Sequence, residues 1–485
     1  MSSSLRVCSI SFRTRWMRTR FPFQYGIASM TELPHVFAVA EGSWEGRDWT
    51  GLASEGLPPK WFTKDPGTRF EEDLPVMLES LEHAAGTLCS VGYDSVFEAW
   101  WDLYKRQEGW GRTAGVPPLL AHLGTALMER AMIDGFCRGA GLSFREALRS
   151  NAFGIDLGRI HHELAGTQPA DWLPDPPSSI VARHTIGLGD PLRGADVPSG
   201  DQLEDGLPHV LSDVIHRYGL THFKIKLCGD LAVDVPRLVS VAEVLSRDAP
   251  GFRYTLDGNE QYRDITTFRD HWEIYQTHPG LSPLFEEGRL LFVEQPLHRE
   301  VALAETVRNE LTDWGPEAPP MIIDESDGEL SSLRQAIALG YRGTSHKNCK
   351  GVIKGIANRG LIEWHRRQSS SARPWLMSGE DLANVGPVAL LNDLTVMAAL
   401  GIDDVERNGH HYFAGLSMFS DELQACVRAK HPDLYEMSEE GVAVLKIEQG
   451  QIAINSLEDT PFGHGLELSP RVLDLLGEEG LPSLA

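Results

Sequence analysis

The segment LLFVEQP at residues 290–296 is a short apolar run that ends on a carboxylate, Glu294. Three further segments end on a charged residue in the same way: HFKIKL (222–227) on Lys226, RYTLDG (253–258) on Asp257 and PMIIDE (320–325) on Asp324. Successive charged positions are 31, 37 and 30 residues apart, and each gap is the length of one strand–helix unit. Strand ends in a parallel barrel face one mouth, so these side chains are expected to converge there.

The alternation of short apolar strands with amphipathic helices begins near residue 180 and predicts a parallel sheet. Three more strands are expected downstream, in YRGTSHK (341–347), PWLMSGED (374–381) and DDVERNG (403–409). Seven or eight repeats in about 240 residues favour a closed barrel over an open sheet. Before this region, strands over residues 5–55 and helices over 68–150 indicate a separate α+β domain.

Composition excludes several classes of partner. The chain has 485 residues, a formal net charge of −25 and a pI near 5.1, so neither nucleic acid nor an anionic membrane is an expected partner. No run of 18 apolar residues predicts a membrane span. The six cysteines are scattered without CxxC spacing, which argues against a disulfide framework or a zinc site and favours a cytoplasmic protein.

The three converging acids predict a metal site. Asp257, Glu294 and Asp324 would repel one another in a shared pocket and raise one another's pKa values. A hard divalent cation removes that repulsion, and all-oxygen ligation suits Mg²⁺ better than zinc or copper. A single carboxylate after a strand is usually a helix cap, whereas three in register are not explained by capping.

Lysines supply a candidate base beside these acids. Lys224 and Lys226 are two residues apart on one strand and therefore share a face. Lys350 lies 26 residues after Asp324, just beyond the next expected strand. A lysine near a cation and a second lysine has its pKa lowered, so it can act as a base near neutral pH.

Together, FKIK, LDGNEQY, VEQP, IDES and KNCKG resemble the enolase superfamily, in particular the lysine-type (KxK) members of its mandelate racemase/muconate lactonizing enzyme branch. The resemblance covers nearly the whole chain, although KNCKGV stands where this branch usually has K-x-x-K-x-G-G. It implies a modified TIM barrel, (β/α)7β, with an α+β capping domain. The implied domains are a capping domain at 1–165, a catalytic barrel at 166–424 and a C-terminal segment at 425–485 that returns to the cap.

The resemblance also implies roles for individual residues. Asp257, Glu294 and Asp324 would bind Mg²⁺, with Mn²⁺ as the alternative, and Lys226 and Lys350 would be acid/base catalysts on opposite faces of a small carboxylate substrate. Lys224 would give electrostatic support. Further positions that would orient the site or contact substrate are Asn259, Glu325, Lys347, Glu380, Glu406 and Asn408. Specificity would come from cap loops at 25–30 and 57–66, with Phe23, Trp61 and Phe62 nearby.

The predicted reaction is abstraction of the proton α to a carboxylate, with the metal stabilising the enediolate. Two opposed lysines favour a racemase or epimerase. A dehydratase or a cycloisomerase would use the same intermediate, so both remain open. A metal-binding relative without catalysis is the least favoured reading, because both lysines are present. A homo-oligomer is expected from the family.

Overall fold

The computed structural model describes residues 5–89, 91–368 and 373–482. The N-terminal region folds into an antiparallel sheet followed by helices. Its strands are β1 (Leu5–Tyr25), β2 (Ala28–Trp44), β3 (Arg47–Gly56) and β4 (Gly92–Tyr93). Its helices are α1 (Phe70–Leu88), α2 (Val96–Ala114), α3 (Pro118–Ala140), α4 (Phe144–Arg149) and α5 (Leu157–Ile160).

Helix α3 is the centre of this cap. Every residue from 119 to 137 is buried, because α1, α2 and the sheet all pack against it. It ends at Gly141, which adopts a left-handed conformation with φ 69°. Its Glu129 accepts a hydrogen bond from the backbone N–H of Ile353 in the second region (2.5 Å). The cap is therefore bound directly to the segment that follows the predicted strand YRGTSHK (341–347).

The second region is a barrel of eight parallel strands. They are β5 (Ser179–Ile186), β6 (His222–Lys226), β7 (Arg253–Asp257), β8 (Leu290–Glu294), β9 (Met321–Ile322), β10 (Gly343–His346), β11 (Leu376–Gly379) and β12 (Asp404–Arg407). β12 pairs with β5, and a parallel bridge between Ile323 and Thr344 joins β9 to β10, so the sheet closes. β5 is the eighth strand, and it was not predicted from the sequence.

Helices connect these strands on the outside of the barrel. They are α6 (Leu211–Tyr218), α7 (Leu231–Asp248), α8 (Ile265–Thr277), α9 (Arg299–Ala302), α10 (Glu305–Trp314), α11 (Ser332–Leu339), α12 (Val352–Gln368), α13 (Ala389–Ala399) and α14 (Gly409–Tyr412). The predicted fold class, a modified TIM barrel with an α+β capping domain, is confirmed. Among the described residues, no helix is both long and apolar enough to cross a membrane.

The C-terminal segment contacts both regions. Its elements are α15 (Asp421–Lys430), β13 (Tyr435–Met437), β14 (Ala443–Leu445), β15 (Gln451–Ala453), α16 (Pro470–Leu476) and β16 (Glu478–Glu479). β15 pairs with the barrel strand β5, and β16 pairs with β1 of the cap at Arg13 and Thr14. The tail thus joins the cap sheet to the barrel.

Candidate active site

Strand register brings the predicted charged row together. Lys226 pairs with Asp257, and Asp257 pairs with Glu294, on neighbouring parallel strands. Glu294 in turn pairs with Ile322, and Asp324 lies two residues beyond it. Because side chains alternate with a period of two, all of these groups point to one face of the sheet at its C-terminal end. That face is the interior of the barrel mouth.

The backbone just after β7 and β8 is unusually tight. A Cβ on Gly258 would lie 2.5 Å from Cα of Pro296, so only glycine fits there. Asn259 and Gln295 adopt left-handed φ values of 42° and 33°, which non-glycine residues rarely do. The N–H of Asn259 donates to Oδ1 of Asp257 (2.8 Å). Such strained positions occur preferentially at functional sites, where they fix a side chain.

Two side chains that the sequence analysis did not select hold Asp324 in place. Gln295 Oε1 accepts a hydrogen bond from the backbone N–H of Asp324 (2.7 Å). Ser345 donates from Oγ to Oδ1 of Asp324 (2.6 Å). Gln295 stands in the quoted VEQP segment, so its position next to Glu294 was an available signal. Ser345 has no such signal, because only strand pairing places β10 beside Asp324.

Lys224 lies at the centre of a cluster of carboxylates. Its Nζ is 2.7 Å from both Glu294 and Glu380, 2.9 Å from Asp257 and 3.1 Å from Glu406. Burial by itself would lower the pKa of Lys224, but the surrounding carboxylates, Asp257 and Glu294 foremost, raise that pKa well above its ordinary value. This cluster therefore holds Lys224 as an ammonium group, and the predicted lowering of the pKa of a lysine beside a bound cation stays a prediction.

Lys347 and Lys350 occupy different environments. Lys347 follows β10 directly, lines the cavity and lies 2.5 Å from Oδ2 of Asp324. Lys350 instead donates to the backbone carbonyls of Asp324 (3.0 Å) and Ser345 (2.8 Å), and pairs with Asp324 Oδ1 (2.8 Å). A single-turn 3-10 helix, Asn348–Lys350, carries it away from the cavity lining. Lys347 is thus the lysine placed to meet a ligand.

This placement predicts that Lys350 stabilises the fold. In Lys350→Met, the carbonyl oxygens of Asp324 and Ser345 each lose one of their two donors, and the Asp324 carboxylate loses an ion-pair partner. The free energy of unfolding is expected to fall by about 1–3 kcal/mol. Urea denaturation followed by circular dichroism measures it. Unchanged stability, or a loss of activity without loss of stability, would contradict a structural role.

Glu294 tests whether this site fits a cation. The group is fully buried, and although Lys224 is close, the geometry gives neither carboxylate oxygen a hydrogen bond. Burial, and then the charge of Glu380, raise the pKa of Glu294 well above its ordinary value. Oε1 has no donor, and Oε2 faces only the Lys224 ammonium group at 2.7 Å, so a bound cation would lower the cost of burying this carboxylate. The donor chemistry, all carboxylate oxygen, fits Mg²⁺.

In this structure the three predicted metal ligands are paired with lysine side chains. Within residues 5–89, 91–368 and 373–482, no three His, Cys, Asp or Glu side chains form a group that could hold a metal ion. Lys224 bridges Asp257 and Glu294, while Lys347 and Lys350 contact Asp324. Cation binding by these acids therefore requires Lys224 Nζ to withdraw.

The remaining predicted site residues are all buried around this cluster. The barrel side of the cavity is formed by Lys224, Lys226, Asp257, Asn259, Asp324, Glu325, Lys347, Asp381, Leu382, Ala383, Glu406 and Asn408. Burial, and then the charge of Asp324, raise the pKa of Glu325 to about 7. Glu380 is not part of the lining; it lies behind Lys224, and burial raises its pKa to about 7.

Two further groups support the floor of the site and were missed from the sequence. Arg183 on β5 is fully buried and lies 2.5 Å from Oε1 of Glu380. Asp381 contacts Arg407, and its Oδ1 accepts from Nδ2 of Asn408 (3.3 Å). Nothing near Arg183 in the sequence signals this role, because β5 was not predicted. Asp381 was inside a quoted strand, next to Glu380.

The cap closes the cavity with apolar side chains. They are Phe23, Tyr25, Met30, Pro58 and Trp61. These come from the two predicted specificity loops and the strand before the first of them. Phe62 is buried and does not line the cavity. A roomier apolar cavity of about 370 Å³ lies near α4 and α13, but it contains none of the lysines and acids described above.

Comparison with known proteins gives the fold a context. An enolase from Bradyrhizobium complexed with magnesium and mandelic acid is 14% identical, with a TM-score of 0.55, and the match covers 93% of this chain and 94% of that one. An enolase from Pseudomonas fluorescens with bound magnesium, potassium and tartrate is 13% identical over 97% and 92%, with a TM-score of 0.57. An N-succinyl Arg/Lys racemase from Bacillus cereus is 15% identical over 83% and 87%, with a TM-score of 0.53.

The structural neighbours are enolase-superfamily proteins of the mandelate racemase and muconate lactonizing type, and at these identities they establish a shared fold. No protein-family model matches the sequence, and no curated protein matches it significantly.

Proposed function

We propose that this protein is a Mg²⁺-dependent enzyme that removes the proton α to a carboxylate, and that it acts as a racemase or epimerase. One observation carries the proposal: Lys226 and Lys347 enter a single cavity from separate strands, and each contacts a different acid of the row, Asp257 and Asp324. In the barrel, β7, β8 and β9 separate their two strands. They therefore approach a bound molecule from different sides.

Two lysines on different sides suit 1,1-proton transfer. One takes the α-proton from one face, and the other returns a proton to the opposite face, which inverts the carbon. The family resemblance implied Lys350 as the acid/base group on the face opposite Lys226. We propose Lys347 instead, because Lys350 is held by backbone carbonyls away from the cavity. Elimination of a β-substituent is the second candidate reaction, since it needs only one of the two bases.

The acids Asp257, Glu294 and Asp324 would hold the cation, Mg²⁺ or in its place Mn²⁺. When bound, the cation would neutralise the charge that develops on the substrate carboxylate as the α-proton leaves. Lys226 and Lys347 are ion-paired to two of these acids. For Lys347, burial alone would lower the pKa, but the charge of Asp324 outweighs it and raises the pKa above its ordinary value. If Asp257 and Asp324 bound a cation instead, their ion pairs with Lys226 and Lys347 would weaken, and the two lysines could then exchange protons with a substrate.

Deuterium exchange tests the proposal. Protein with Mg²⁺ is incubated in D₂O with a panel of chiral carboxylic acids, and recovered acids are analysed by mass spectrometry and chiral chromatography. Deuterium at Cα with loss of optical purity is the expected result, whereas loss of water from the acid indicates the lyase. Treatment with EDTA is expected to abolish exchange, and Mg²⁺ or Mn²⁺ to restore it. Exchange that persists at full rate without metal would contradict the proposal.

A further inference from the structure

The cavity has two chemically distinct halves. The barrel side carries all of the lining lysines and acids, together with Leu382 and Ala383, while the cap side presents Phe23, Tyr25, Met30, Pro58 and Trp61. We propose that the site selects a carboxylate whose α-substituent is apolar and uncharged, and that Trp61 is the residue that selects it. This inference rests on the proposed function, because the substrate carboxylate is taken to lie among the acids and lysines of the barrel.

No cation from the cap lines the cavity among the described residues. The two lysines of the 57–66 loop already have partners: Lys60 pairs with Asp73 (2.6 Å), and Lys64 pairs with Glu260 (3.3 Å) and donates to the backbone carbonyl of Asn259. A substituent that carried a second carboxylate or several hydroxyls would therefore meet apolar surface without a partner. Desolvating such a group costs free energy, whereas burying a phenyl or branched alkyl group gains it.

Trp61 stands next to the lysine that would move the proton. The Nζ of Lys347 lies 5.0 Å from the centroid of the Trp61 ring. A carbon within reach of Lys347 therefore has its other substituents beside this ring. The indole is 7% exposed, and the loop that carries it is tied to the 25–30 loop by a hydrogen bond from the Tyr25 hydroxyl to the carbonyl of Pro59 (2.7 Å).

The barrel itself sets the position of Trp61. Arg299, at the start of α9, donates to the backbone carbonyls of Trp61 (3.0 Å) and Phe62 (3.1 Å). The same guanidinium makes two hydrogen bonds to Glu260, at 2.7 and 2.8 Å. The free cavity is only about 40 Å³, little more than the volume of one water molecule, so the loop must move to admit a substrate. Because Arg299 binds the backbone of this loop and leaves the side chain of Trp61 free, the loop can return to the same position around a ligand.

The binding test uses two anions of similar length, 3-phenylpropanoate and glutarate, with the Mg²⁺-loaded protein and isothermal titration calorimetry. The expected dissociation constant for 3-phenylpropanoate is about tenfold lower than that for glutarate. Trp61→Ala should bring the two constants to within about threefold. Trp16→Ala is the matched control and should keep the wild-type ratio, because Trp16 lies on strand β1 of the cap, is 40% exposed and is outside the cavity.

Several outcomes overturn the inference: no binding of 3-phenylpropanoate, glutarate binding as tightly, or a ratio that Trp61→Ala leaves unchanged. The exchange assay separates it from the proposed function. Selective binding without deuterium exchange of any acid refutes the function and leaves the selectivity of the pocket standing. Exchange that is fastest with acids bearing charged substituents refutes the inference and leaves the function standing.

Arg299 is a positioning residue in this account, and its effect is predicted to fall on KM. In Arg299→Lys, one ammonium group cannot hold both carbonyls and Glu260 at once. KM for an apolar substrate should rise about tenfold, while kcat changes by less than about threefold. A merely structural role would instead lower the folded fraction and leave KM unchanged.

Discussion

Replacement of Lys347 by methionine is expected to reduce α-proton exchange of one of the two enantiomers by at least about 1000-fold while the protein stays folded. The ammonium group lies 2.5 Å from Asp324 Oδ2 at the cavity wall, and methionine keeps the length of the side chain without a base. Lys350→Met, three residues away, should retain most of the exchange activity per folded molecule. Exchange is followed by NMR of the Cα proton in D₂O, with the folded fraction taken from circular dichroism.

Comparison of Lys226→Met with Lys347→Met tests which face of the substrate each lysine serves. If Lys226 and Lys347 work on opposite faces, each variant should lose exchange with one enantiomer and keep it with the other, and both should lose racemisation. The proton of one enantiomer is removed by a lysine that is still present, although no group remains to reprotonate the other face. Separate assays on the two pure enantiomers measure this directly.

Lys430→Met serves as the control, because this lysine is 46% exposed on α15, outside the cavity. It should match wild type with both enantiomers. Equal exchange of both enantiomers in Lys347→Met would remove Lys347 from the mechanism, and the same loss in Lys350→Met would return the role to the residue first predicted.

Lys226 and Lys350 show which parts of the site could be predicted from the sequence and which could not. Strand length and the period of two predicted the row of Lys226, Asp257, Glu294 and Asp324, because each position depends only on the end of a regular strand. The fold class followed from the same spacing. Lys350 depends instead on a single 3-10 turn after β10, which rotates it towards backbone carbonyls. No periodic pattern records such a turn.

Long-range contacts explain the other differences. Arg183 meets Glu380 only because β5 and β11 flank β12 in the closed sheet, and the two residues are 197 positions apart in the chain. The lysine pKa depends on a balance that the sequence cannot give. Four carboxylates surround Lys224, so its pKa rises where a cation alone would have lowered it. The identities of the groups were predictable, whereas their mutual distances were not.

Replacement of Glu294 by glutamine is expected to stabilise the metal-free protein and to inactivate it. Glu294 is fully buried, its Oε1 receives no hydrogen bond, and the one ammonium group beside it, Lys224, is shared among four carboxylates. Its ionised form is therefore costly in the absence of a cation. Glutamine has the same shape without the charge. We expect a gain of about 1–3 kcal/mol in the free energy of unfolding with EDTA present.

The pH dependence of that gain has a definite sign. Burial raises the pKa of Glu294 in the folded state, so the folded protein binds a proton that the unfolded chain releases. The stability of the metal-free wild type therefore falls as pH rises from the unfolded pKa, about 4.3, through the folded pKa. Glutamine does not titrate, so the variant's advantage should be small near pH 4 and should grow as pH rises through the folded pKa. Denaturant unfolding across this range, in EDTA, measures the difference.

Added Mg²⁺ should reverse the order of stability. In the wild type, Glu294 would help to hold the cation, and binding would stabilise the fold by mass action, whereas the variant has lost one of the three proposed ligands. Its Mg²⁺ affinity should fall by more than the roughly 10–100-fold that an outer-sphere substitution costs, and exchange should fall with it. Glu440→Gln, at an exposed turn, is the control for removing one negative charge and should behave as wild type. A Glu294→Gln protein that is less stable in EDTA, or that gains as much from Mg²⁺ as wild type, would show that this carboxylate serves the fold and not a cation.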